Sequence, residues 1–225
     1  MIDFRLYLVT DRRVLQSGSL ESAVDEACKA GVGAVQLREK DLDARSLHQL
    51  AVRLRRITAS RRATLFVNDR VDIAMAVDAD GVHCPESGFP AAAARRLIGM
   101  RRLKDEFATP HVRRTGGENT LVGVSTHSVV RAIRAETEGA DFITFGPVFE
   151  TASKLHYGEP QGLEKLNEVS SSVNIPVFAI GGVTPERAKA CVAKGAWGVA
   201  VVSSILASTD IGRTVSEFER ALGSL

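Results

Sequence analysis

The sequence predicts an α/β fold, a single (β/α)₈ TIM barrel with parallel strands spanning residues 1–225. Two observations carry that expectation. Eight short apolar runs alternate with segments of helical periodicity, and one junction recurs: AGVGAVQ, DADGVH, EGADFIT and KGAWGVA each set a helix end, a glycine and an apolar run in that order. Runs too short for helices and apolar on both faces fit strands covered by helices on both sides, the arrangement of parallel sheets. The second observation is the stretch Pro176 to Ile205, PVFAI-GGVTPERAKACVAKGA-WGVAVVSSI, which reads as two adjacent strand-to-loop junctions. Gly181 and Gly182 permit a sharp turn and a close approach of backbone N–H groups, and Thr184-Pro185 reads as an N-cap and first helical residue. Val202, Ser203 and Ser204 end the next run with amides and hydroxyls. Loops after the seventh and eighth strands of such barrels commonly cradle a phosphate, so a phosphorylated small molecule is the expected ligand.

Composition narrows the function classes. The balance of 29 basic against 27 acidic residues, a net charge of +2, argues against a nucleic-acid or membrane surface as the main partner. No window has the apolar length of a membrane span, and MIDFRLYLVTDRR has no signal-peptide core, so a cytoplasmic location is expected. Cys28, Cys84 and Cys191 are scattered without CxxC spacing, which disfavours a zinc site or disulfide framework. Nothing in the composition decides between a monomer and a homo-oligomer.

The elements follow in order. LYLVT (Leu6–Thr10) is the first strand, and Ser19 caps a helix running to Gly31 with Leu20, Val24 and Ala27 on one face. GAVQL (Gly33–Leu37) is the second strand; its exit carries Gln36, Arg38, Glu39 and Lys40, and a second helix spans about Asp43 to Ala59. Thr64–Val67 delivers Asn68-Asp69 before the helix Val71–Val77, and the brief strand Gly81–His83 follows. A helix from Ala91 to Ile98 then gives way to a basic, partly helical excursion at about 99–119, read as a solvated surface segment in preference to one that attracts phosphate. Leu121–Val124 exits into Ser125-Thr126-His127-Ser128, and Asp141–Phe145 exits into a long segment holding Thr151, Ser153 and Lys154. Two hydroxyls at alternate positions followed by a lysine form a clamp for phosphate oxygens. Gly212 to Leu222 closes the ring.

The segments VQLREK, NDRVDIA, GVSTHS, FGPVFETASK, AIGGVTPER and GVAVVSSI together resemble the thiamine phosphate synthase and TenI superfamily, in the same order over most of the chain. The resemblance implies a TIM barrel acting on a thiazole phosphate in thiamin biosynthesis. One branch, the thiamine phosphate synthases, joins that thiazole to a pyrimidine pyrophosphate with Mg²⁺; the other, the TenI-type thiazole tautomerases, aromatises a thiazole carboxylate phosphate without a cofactor. By the same resemblance Gly182 and Ser203, with Gly181 and Val202 beside them, match the thiazole phosphate contacts. Gln36, Arg38, Lys40, Asn68, Thr151, Ser153 and Lys154 match the pyrimidine and pyrophosphate contacts, Asp69 matches one magnesium ligand, and Ser125 in GVSTHS is a further candidate substrate-binding residue. A second magnesium aspartate belongs in the segment that here reads CPESGFP, where Gly88 takes its place and Glu86 is the nearby carboxylate. That departure, with His127 standing where the tautomerase histidine lies, favours the tautomerase branch, with His127 and Lys154 as candidate catalytic residues. The synthase is the alternative, and a non-catalytic thiazole phosphate binder is a third reading.

Overall fold

Each of the eight apolar runs becomes a strand in a computed structural model that describes residues 2–108, 120–151 and 159–223, the side chains of 100–108 excepted. The strands are β1 (Leu6–Val9), β2 (Ala34–Leu37), β3 (Thr64–Asn68), β4 (Gly81–Cys84), β5 (Leu121–Thr126), β6 (Phe142–Phe145), β7 (Val177–Ile180) and β8 (Gly198–Val201). They pair in sequence order and close on themselves: Tyr7 stands opposite Ala34 of β2 and Ala200 of β8, all pairings parallel. Nearly every strand residue is buried, because the lumen fills one face and helices cover the other.

Several of the helices begin under side-chain caps. Ser19 accepts from the Ser22 amide ahead of α1 (Leu20–Ala30), and Asp43 accepts from the Ser46 amide ahead of α2 (Ala44–Arg61). The short α3 (Val71–Ala76) follows β3. Helix α5 (Val129–Thr137) starts under Ser128, α6 spans Gly162–Ser172, and α7 (Pro185–Ala193) carries proline in its first turn. Two features differ from the expectation. Helix α4 runs from Ala91 to Ala108, so the first half of the basic excursion at 99–119 is continuous helix; the remainder lies outside the described residues. Between β8 and the closing helix α9 (Ile211–Leu222) a four-residue helix, α8 (Ser203–Leu206), takes up the Ser203-Ser204 turn.

The lower lumen is aromatic. Phe4 lies within 6 Å, ring to ring, of Tyr7, Phe66, Phe142 and Phe178. Tilted and edge-on contacts of this kind add about 0.5–1.5 kcal/mol each beyond area burial. Small residues make the room: a Cβ on Gly81 would meet the Phe66 ring at 2.3 Å, and one on Gly123 would meet the Phe142 ring at 2.4 Å. Below that layer two matched clamps tie helices to strand starts. Asp80 accepts from the Leu65 amide and from Arg55 of α2, and Asp141 accepts from the Val122 amide and from Arg95 of α4. A carboxylate shared between a strand N–H and a guanidinium fixes the height of a helix against its strand.

Candidate active site

Above the aromatic layer the lumen turns polar, because single polar residues stand at inward positions of otherwise apolar strands. Gln36 donates from Nε2 to the Tyr7 hydroxyl at 3.0 Å, and that hydroxyl lies 3.3 Å from His83 Nδ1. His83 Nε2 lies 2.9 Å from Ser125 Oγ, which also accepts from Thr144 Oγ1 at 3.3 Å. Residues of β1, β2, β4, β5 and β6 are thus linked across the barrel, and of these Gln36 and Ser125 were expected at a site from the sequence. Burial, and secondarily the Arg38 charge, push the His83 imidazole down to about 3, so the ring is neutral at physiological pH. Burial also raises the Tyr7 phenol well above its ordinary range, against a smaller opposing effect of the Gln36 bond.

The β3 and β4 exits meet at Asp69. Its backbone is left-handed, φ 60°, a conformation that non-glycine residues adopt rarely and that Asp tolerates better than most. The turn is held by the Asp69 amide donating to the His83 carbonyl at 2.9 Å. Oδ1 of Asp69 accepts from the Phe89 amide at 3.0 Å, and a Cβ on Gly88 would come within 2.5 Å of that same oxygen. Gly88 therefore packs on the carboxylate where the resemblance would put a second aspartate. Glu86 turns elsewhere, with Oε1 3.1 Å from Arg131 Nε and Oε2 3.8 Å from His127 Nε2. Among the described residues that Oε2 is buried without a hydrogen-bond partner. His127 is oriented from its other nitrogen, where Nδ1 bonds the Gly146 carbonyl.

Among the described residues no group of three or more His, Cys, Asp or Glu side chains is placed to hold a metal. Mg²⁺ does not require such a cage: it is commonly held by one or two carboxylates together with substrate phosphate oxygens and water. The exposed Asp69 supplies one hard oxygen ligand, so the residues fit a magnesium ion that arrives with a pyrophosphate. Glu86 is paired through Oε1 with Arg131.

At the β7 exit the two glycines have positive φ, 98° at Gly181 and 62° at Gly182. The reason is visible in the β6 exit. Val148 and Phe149 donate to the carbonyls of Ile180 and Gly181, which lays the chain directly over the pair. A Cβ on Gly181 would meet Pro147 at 2.5 Å and one on Gly182 the Glu150 carbonyl oxygen at 2.3 Å. The glycine pair is needed for packing between two loops as well as for the phosphate expectation. Ser204 Oγ donates to the Val183 carbonyl at 2.6 Å, so the β7 and β8 exits are tied together, and Ser203 beside it is exposed with Val202 half-buried at the start of α8.

The remaining expected site residues divide. Arg38 and Asn68 are half-buried at the β2 and β3 exits, whereas Lys40 is exposed on the rim. Thr151 is half-buried where the β6 exit leaves the described residues; Ser153 and Lys154 lie outside them. Glu39 is structural, buried and bonded to the Arg12 amide and guanidinium, which pins the β1 exit to the β2 exit. Cys84 is buried beneath the β4 exit with its thiol pushed up to about 11, first by burial and then by the Asp69 charge, which makes it a packing residue. Sequence reasoning missed Tyr7, Thr144 and Arg131. The first two had a signal: each is the one polar side chain in a four-residue apolar strand, LYLV and FITF.

Comparison with known proteins agrees with this geometry. The family profile described as thiamine monophosphate synthase matches residues 6–103 and 104–205. A protein of Geobacter sulfurreducens, provisionally named a thiamine-phosphate synthase, is 46% identical over 93% of this chain and 90% of its own length. The thiamine-phosphate synthase of Clostridium novyi is 38% identical over 93% of this chain and 94% of its own. Among solved structures, the thiamine phosphate pyrophosphorylase from Pyrococcus furiosus superposes with a TM-score of 0.81 at 32% identity, covering 97% of this chain and 95% of that one. With the closed barrel, the paired exits and matches over nearly all of its length, this chain belongs to the thiamine monophosphate synthase/TenI family.

Proposed function

We propose that this protein is a thiamine-phosphate synthase, a transferase that joins an aminopyrimidine pyrophosphate to a thiazole phosphate and releases pyrophosphate. The observation that carries the reading is the 38% identity to the Clostridium novyi synthase over almost the full length of both chains. The geometry supports it. Departure of pyrophosphate leaves a pyrimidine cation and develops charge on the leaving oxygens, which cations and amides at the mouth must stabilise. Arg38 and Asn68, half-buried at the β2 and β3 exits, are the groups for that role, with the exposed Lys40 on the rim. Magnesium, when bound with the pyrophosphate on Asp69, supplies neutralisation of the leaving group. Gln36 and Ser125 present neutral hydrogen-bonding groups to a heterocycle, and the β7 and β8 exits offer backbone amides and Ser203 to the thiazole phosphate.

The tautomerase expectation drawn from CPESGFP keeps one specific support: Gly88 packs on Asp69 where a second aspartate would be, and Glu86 faces His127. The synthase is nevertheless better supported, because the relatives matched over their full lengths carry that name and one carboxylate suffices for a pyrophosphate-borne magnesium. The test is to incubate the protein with both substrates and Mg²⁺, follow thiamine phosphate, and repeat with a chelator. Metal-dependent product is expected. No product from folded protein that binds the thiazole phosphate would reject the synthase, and His127-dependent conversion of the carboxylated thiazole tautomer would establish the tautomerase in its place.

A further inference from the structure

The polar chain across the lumen has a direction, and that direction decides what Ser125 can do. Gln36 donates from Nε2 to the Tyr7 oxygen. A phenol has one proton, and with its oxygen already accepting, the Tyr7 O–H is free to point at its other neighbour, His83 Nδ1. A neutral imidazole carries one donor and one acceptor, so a ring that accepts at Nδ1 holds its proton at Nε2. Its Nε2 neighbour is Ser125 Oγ, which therefore accepts; Thr144 Oγ1 donates to the same oxygen. Both acceptor positions of the serine hydroxyl are then occupied, and its one proton is left for a ligand.

We infer that Tyr7 is a positioning residue which, acting through His83, fixes the Ser125 hydroxyl as a hydrogen-bond donor to the substrate and denies it the role of nucleophile or base. A serine next to a histidine invites the opposite reading, in which the ring removes the serine proton. The mirror arrangement would do that. With the Gln36 amide turned over, its oxygen would accept from Tyr7, His83 would donate from Nδ1 to the phenol oxygen, and a bare Nε2 would draw the proton from Ser125. The two arrangements differ in which ring nitrogen of one buried histidine is protonated. All five members of the chain are neutral groups, so the complementary ligand atom is a neutral acceptor such as an unprotonated nitrogen of an aromatic ring, while phosphate is left to the cations of the rim. The kinetic part of the test rests on the synthase reading; the tautomer part does not.

The direct measurement is two-bond ¹H–¹⁵N correlation on the full chain labelled in its histidines, with the His83 ring assigned sequence-specifically. A proton on Nε2 is expected; a proton on Nδ1 overturns the inference without any variant being made. Kinetics supply the second arm. Tyr7→Phe and Ser125→Ala are each expected to lower kcat/KM for coupling by about tenfold or more, and because Tyr7 acts through Ser125 the double variant should fall within about twofold of Ser125→Ala alone. Losses that multiply would show Tyr7 to be merely structural. His83→Gln, whose amide can donate to Ser125 as Nε2–H does, should recover most of the rate that His83→Leu loses; equal losses would overturn the inference. A wild-type protein that gives no coupling product would reject the synthase reading, and the tautomer measurement would still decide the direction of the chain.

Discussion

The two ends of the barrel solve opposite problems with the same strands. At the lower end Phe4, Phe66, Phe142 and Phe178 fill the lumen, and Asp80 and Asp141 lock α2 and α4 to strand starts; every polar group named there has a partner inside the protein. At the upper end, one residue further along the inward face, the lumen is lined by Gln36, His83 and Ser125, and beyond them the exits keep features that folding alone does not require. Asp69 holds a left-handed backbone, Glu86 has a buried oxygen without a partner among the described residues, and Arg38 and Lys40 stand at the mouth. A lower end that satisfies itself supports the fold, whereas an upper end with unspent donors and acceptors is where a ligand is bound.

That contrast can be broken by mutation. Phe142→Ala removes the ring that touches Phe4, Tyr7, Phe66 and Phe178, and should cost about 3–5 kcal/mol of stability, read by urea unfolding. Asp69→Ala at the other end should lower metal-dependent coupling by about 100-fold while costing only about 1 kcal/mol of stability, since alanine loses the Phe89 amide bond and tolerates the left-handed backbone less well than aspartate. A large loss of stability there, or activity insensitive to the change, would erase the division between the ends. Asp141→Ala leaves the Val122 amide without its carboxylate acceptor, while Arg95 keeps the Thr120 and Gly139 carbonyls, and should cost about 2 kcal/mol with kcat unchanged.

His83 stands on the boundary and sharpens the comparison through pH. Its folded pKa of about 3 lies below the roughly 6.5 of a free imidazole, so between those values the unfolded chain binds more protons and stability rises with pH. The contribution is fully present above about pH 6.5 and is lost as the pH falls towards 3, with a slope of at most about 1.4 kcal/mol per pH unit. His83→Gln should flatten the acid limb of a stability profile measured from pH 7 to 4; an unchanged limb would place the ring in a more solvated setting. The smallest effect belongs to neither end. Arg213→Ala breaks an exposed i,i+4 pair with Glu217 on α9 and should shift stability by less than about 0.5 kcal/mol.

Much of the fold was legible because it rests on local pattern. The eight apolar runs, the cap Ser19 and Pro185 in the first turn of α7 depend on side chains close in sequence, and each stands where that pattern put it. The glycine pair Gly181-Gly182 was legible as a turn, but the chain segment lying on it comes from β6, thirty-odd residues earlier, and no local pattern announces that contact. Helix α4 outran its expected end for a related reason: Arg101, Arg102 and Lys104 look like a solvated loop and are equally good helix formers.

By itself, then, the sequence determined the barrel, its strand order and the set of residues delivered to one mouth, since alternation of helix and buried strand leaves few other closed arrangements. Which of those residues meet was decided only in three dimensions. Tyr7, Gln36, His83, Ser125 and Thr144 come from five strands and form one chain because pairing of β8 with β1 closes the sheet around a lumen narrow enough for hydrogen bonds to cross it. The partners of Asp69, Glu86 and His127 were decided in the same way, by loop backbones placed through packing, and spacing along the chain carries no record of that placement.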